Sequence, residues 1–168
     1  MRSKATLAPF GDPLADYASR RIPDPGDEVV RRLLGRIRDA DPATRGAIWP
    51  GVTERRGWHC LVFAERMATL AVRTRDPEHA REGLDAATVG ARAFDHRDAI
   101  IRLSLLHDAL TRIGRPPAPY FAAAEDIADD SFVDELRSFP HRAEANRTIA
   151  VMGYAEGADK DGFRYVPK

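Results

Sequence analysis

Apolar side chains along this chain recur at three- and four-residue steps rather than at every second position, the spacing that places them on one face of an α-helix. Val29, Val30, Leu33, Leu34 and Ile37 follow that spacing behind Asp27 and Glu28 and predict an amphipathic helix ending near Asp39, with negative charge at its N-terminus where the helix dipole favours it. Asp41 followed by Pro42 reads as an N-cap and first helical position, opening a short helix that Trp49, Pro50 and Gly51 break near Ile48. Thr53 caps a long segment in which Cys60, Leu61, Phe63, Ala64, Met67, Ala68, Leu70 and Ala71 cover more than one stripe, so this helix is expected at the centre of the core. Asp76 and Pro77 start a helix of small apolar residues, Ala80, Leu84, Ala87 and Val89, which Gly90 is expected to stop. Phe94 then anchors a loop, and Asp95 caps a segment carrying Ile100, Ile101, Leu103, Leu105, Leu106, Leu110 and Ile113, closed by Gly114. Pro116 and Pro117 reopen the chain into a helix with Tyr120, Phe121 and Ile127. A short helix with Phe132, Val133 and Leu136 is expected to end at Pro140, and a last one to span about residues 142–152.

The two ends differ from this body. Pro9, Pro13, Pro23 and Pro25 with Gly11 and Gly26 prevent a long helix in residues 1–26. Residues 153–168 hold Gly153, Gly157, Gly162 and Pro167, yet also Tyr154, Phe163, Tyr165 and Val166, too many aromatics for a disordered tail, and are expected to pack back on the body. The whole is predicted to be one all-α domain of about six to eight helices, stacked as helical hairpins in a solenoid-like manner.

The stacking expectation comes from a shift of forty residues. It superimposes Cys60 on Ile100, Leu61 on Ile101, Phe63 on Leu103, Leu70 on Leu110, Arg75 on Arg115 and Pro77 on Pro117. On those pairs the stretch 54–130 resembles tetratricopeptide- or HEAT-type arrays of helical hairpins. The resemblance implies a scaffold that holds a protein or peptide on the face formed by the first helix of each pair.

Composition narrows the options. Apolar residues make up 43% of the chain and charged residues 31%, which is the range of soluble globular domains. Basic and acidic side chains number 26 each, a zero sum that argues against coating nucleic acid or an anionic membrane. The balance hides a polarity: residues 1–60 hold eleven basic groups against eight acidic, whereas Glu125, Asp126, Asp129, Asp130, Asp134 and Glu135 form an acidic edge. A solitary cysteine, Cys60, excludes an intrachain disulfide and fits a reducing, cytoplasmic setting. No apolar run is long enough to cross a bilayer.

Candidate chemistry is sparse. His59, His79, His96, His107 and His141 include no pair four residues apart, and no thiol pair accompanies them, so neither a metal nor another cofactor is expected. Asp159, Lys160, Asp161 and Gly162 look like the middle of a calcium loop, but Gly157 and Lys168 occupy its first and twelfth ligand positions, and the run reads as a turn. Glu65 is the one acid inside the apolar run 60–71, and with two long helices side by side it falls one turn from Arg102. An ion pair is the direct explanation, with His107 as a third member; a general acid or base in an interhelical pocket is the functional alternative. Arg31, Arg32, Arg36 and Arg38 line the outward side of the first helix and read as a solvated face, or as a contact for phosphates or an acidic partner. No catalytic residue is assigned. The leading expectation is an interaction module, binding a protein or peptide, a second copy of itself included, through a helical groove or charged edge. Its groove residues are Glu65, Arg66, Arg73, Arg102, His107 and Arg112; the alternative is a small enzyme or ligand-binding protein built on Glu65, Arg102 and His107.

Overall fold

The computed structural model describes residues 26–149, of which the side chains of 26–144 are placed; the proline-rich start and the tail expected to pack back on the body lie outside the described residues. The fold is all-α. Seven α-helices run in order among the described residues: α1 Asp27–Asp39, α2 Pro42–Ile48, α3 Glu54–Thr74, α4 Pro77–Ala93, α5 His96–Arg112, α6 Pro117–Ala124 and α7 Asp130–Ile149. Single turns of 3-10 helix, Trp49–Gly51 and Glu125–Ile127, follow α2 and α6.

Local chemistry fixes the starts of these helices. The side chains of Asp41, Thr53, Asp76 and Asp95 accept hydrogen bonds from the backbone N–H of Thr44, Arg56, Glu78 and Arg97, filling orphan donors in each first turn. Asp129 does the same for α7, accepting from Phe132 N at 3.0 Å. At the end of α3 the chain turns through Arg75, which adopts the left-handed conformation at φ 60°. Arg45 performs the matching task for α1. Its guanidinium donates to the carbonyls of Ile37 and Ala40, each at 2.8 Å, and reaches the Asp126 carbonyl at 2.8 Å, tying the end of α1 to the second 3-10 turn.

The centre of the core is α4 rather than α3. Residues 83–91 of α4 are buried without interruption, Asp85 and Thr88 included. The reason is size. A Cβ on Gly90 would lie 2.4 Å from Leu61 Cδ2, and one on Gly57 would lie 2.8 Å from Ala93 Cβ and 2.9 Å from the Ala93 carbonyl carbon, so glycines on both helices let α3 and α4 touch backbone to backbone. A packing glycine in mid-helix therefore stands where a stop was expected, and α4 continues past Gly90 to Ala93. Small residues carry little weight in an apolar pattern, so the larger side chains of α3 outweigh those of α4 in the sequence.

Two further expectations are corrected. The helices placed on either side of Pro140 are one helix, α7, with Pro140 buried inside it. Phe132, Leu136, Phe139 and Ala143 keep one inward face on both sides of the proline, so packing outweighs the loss of about 3 kcal/mol that an internal proline exacts. The forty-residue correspondence also holds only in part. Phe63 and Leu103 are both fully buried, but Leu61 is enclosed against Gly90 of α4 whereas Ile101 is half exposed. Short α6 lies chiefly against α4 and α7 rather than along α5.

Candidate functional site

α1 is held across α3 and α4 by ion pairs. Arg66 of α3 meets Asp27 at 2.6 Å, Arg31 meets Glu82 of α4 at 2.9 Å, and Arg38 meets Asp85 of α4 at 2.5 Å. Arg81 adds a second contact to Asp85 at 3.3 Å. Burial pushes the Asp85 carboxyl above its ordinary range, while Arg38 and then Arg81 pull it down; burial dominates. Of the four arginines read as one outward face, Arg31 and Arg38 thus turn inward, and Arg32 and Arg36 remain open.

The pair expected from the spacing of α3 and α5 is present. Arg102 Nη2 stands 2.6 Å from Glu65 Oε2, with the Arg102 side chain wholly buried and Glu65 about one-third exposed. Arg102 also donates to the Asp98 carbonyl at 3.1 Å and lies over the Trp58 ring at 5.0 Å, so charge, hydrogen bond and aromatic face are all supplied from within the fold. His107 sits elsewhere. Its ring meets Phe121 and Phe139 edge-on, at 5.9 and 6.1 Å, and those two rings stack at 5.7 Å. It is a joint between α5, α6 and α7, a core histidine on the apolar side of its helix.

The proposed groove residues do not share one surface. Arg102 and His107 are buried, Arg66 is committed to Asp27, Arg112 pairs with Asp108 of its own helix at 2.9 Å, and Arg73 is exposed near the end of α3. What the α5 surface shows instead is apolar. Ile101 is 50% and Leu105 43% exposed, the large apolar side chains most open to water among the described residues, and they stand one helical turn apart. Asp108 and Arg112 continue that line toward the C-terminal end of α5. On α3 the positions sharing Glu65's side, Val62, Thr69 and Val72, are likewise only partly covered or open. The Glu65 to Arg102 pair marks the seam between these two helices.

Other candidate chemistry is accounted for by packing. No group of three potential metal ligands occurs among the described residues. Cys60 is buried and its thiol is pushed up to about 12, so it offers no thiolate at neutral pH. Along the acidic edge Glu125 pairs with Arg137, Glu135 with Arg142, Asp126 with Arg38 and Asp129 with His96. Among the described residues no helix is long and apolar enough to cross a membrane. Compared with protein-family models, curated proteins and solved structures, the chain matches none.

Proposed function

We propose that this chain is an interaction module whose α3 and α5 surface receives an apolar segment of a protein partner. The observation that carries the proposal is the exposure of Ile101 and Leu105, adjacent on α5, where the other large apolar side chains among the described residues are buried or partly buried. Two apolar side chains four residues apart, beside a second helix that presents Val62, suit an amphipathic helix laid into a shallow groove. The Glu65 to Arg102 pair beneath it holds the two walls at a fixed separation. The neutral sum of charges fits a protein partner better than a polyanion, and the lone buried cysteine fits a cytoplasmic setting.

The double substitution Ile101→Ser with Leu105→Ser tests this. Both side chains already meet water, so the melting temperature should stay within about 3 °C of the parent, and affinity for partners captured by the parent protein should fall at least about tenfold. Sedimentation of parent and variant distinguishes a second copy of the chain from a different partner. An unchanged set of captured proteins together with an unchanged sedimentation profile would overturn the assignment.

A further inference from the structure

Between α1 and the start of α3 lies an open cavity of about 290 Å³ lined by Val29, Arg32, Leu33, Arg36, Gly51, Val52 and Arg56. Three arginines stand in its lining, and no carboxylate does among the described residues. The contrast with the other side of α1 is sharp: there Arg31 and Arg38 are matched to Glu82 and Asp85, whereas Arg32 and Arg36 meet no carboxylate among the described residues. Arg56 is steadied from behind, its Nη1 donating to Nδ1 of buried His59 at 3.4 Å. Because Arg56 belongs to the first turn of the 21-residue helix α3, the positive end of that helix dipole faces the same region. Three guanidinium groups around one concavity repel one another, and that repulsion is relieved when an anion enters.

The shape favours one anion over others. Val29, Leu33 and Val52 supply apolar wall beside the arginines, and Val52 also borders a neighbouring cavity of about 350 Å³ where Arg92 lies over the Trp49 ring at 4.4 Å. From this juxtaposition we infer that the cavity is a binding site for a phosphate monoester with an apolar or aromatic body, the phosphoryl group on Arg32, Arg36 and Arg56 and the body against Val29, Leu33 and Val52. A phosphoryl group carries up to two negative charges and three acceptor oxygens, which uses three forked donors more fully than a carboxylate does. This site is separate from the α5 surface, and either assignment can fail without the other.

Calorimetric titration of the full chain with phenyl phosphate, inorganic phosphate and benzoate tests the inference, with phosphatidylcholine vesicles carrying phosphatidate as a fourth arm to separate a soluble ligand from a lipid headgroup. Saturable binding of phenyl phosphate is expected, tighter than that of inorganic phosphate or benzoate and weakened by added salt. Arg36→Ala, an exposed position whose loss leaves the fold intact, should weaken it about tenfold or more, and Arg56→Gln should do the same. Arg73→Ala, exposed near the far end of α3, should leave it unchanged. Absence of saturable binding in the millimolar range, equal binding by Arg36→Ala, equal preference for benzoate, or binding to the vesicles alone would each overturn the inference.

Discussion

Arg102 and Glu65 share one ion pair but not one environment: the arginine is wholly buried and the carboxylate about one-third exposed. Removing Glu65 takes a carboxylate away from a guanidinium that water does not reach, whereas removing Arg102 leaves an acid that water can reach. Glu65→Ala is therefore expected to cost about 2–4 kcal/mol and Arg102→Met distinctly less, read from urea unfolding of the two variants. Equal losses would contradict the asymmetry. Arg45 is a second residue whose importance lies in geometry: Arg45→Lys cannot reproduce the forked contacts to Ile37, Ala40 and Asp126 and should lower stability by about 1–2 kcal/mol in the same assay. Asp85 and Asp129 set opposite pH trends. Asp85 has a folded-state carboxyl raised above its unfolded value, so its ionisation opposes folding and its share of stability declines as pH rises past the usual aspartate range; Asp85→Asn should flatten that decline. Asp129 is also opposed by burial, but hydrogen bonds from Phe132 N–H and the Ser131 hydroxyl win and lower its carboxyl. Its contribution is present above the unfolded value and lost as pH falls through the lower folded one.

At the scale of helices, the sequence was most readable where side chains are large or caps are explicit. Asp41, Thr53, Asp76 and Asp95 each start a helix where their position before Pro42, Glu54, Pro77 and His96 indicated. Gly90 and Pro140 mislead because both depend on neighbours distant in sequence: Leu61 fills the space that a Cβ on Gly90 would need, and Phe139, beside the proline, packs against His107 and Phe121. Arg45 carried no pattern at all, since its partners are backbone carbonyls from two other segments. The close approach of α3 and α4 has a direct consequence. Gly57→Ala places a methyl against Ala93 backbone that cannot swing aside and should destabilise by about 1–3 kcal/mol, while Gly35→Ala, with open space around it, should be neutral or stabilising by up to about 1 kcal/mol. In thermal melts the Gly57→Ala midpoint should fall, and the Gly35→Ala midpoint should stay level or rise.

For the whole molecule, the fold class was legible from periodicity, and so was the Glu65 to Arg102 contact, because a helix pair laid side by side constrains which residues meet. The surface was not. Ile101 and Leu103 carry the same apolar weight and stand on opposite faces of α5, so a segment apolar nearly all round does not tell that Leu103 is enclosed and Ile101 half exposed. Likewise, arginines spaced along α1 cannot reveal which of them find acids on α4; the packing of α1 leaves Arg32 and Arg36 at the cavity. The interaction reading stands on the open side of α5. Methyl-labelled isoleucine and leucine spectra with a soluble paramagnetic reagent address it directly: in the isolated full chain the Ile101 and Leu105 methyls should broaden strongly while those of Leu103, Leu106 and Leu110 stay sharp, and a bound partner should protect the first two. Ile101 and Leu105 methyls as protected in the isolated chain as Leu103 would contradict the account.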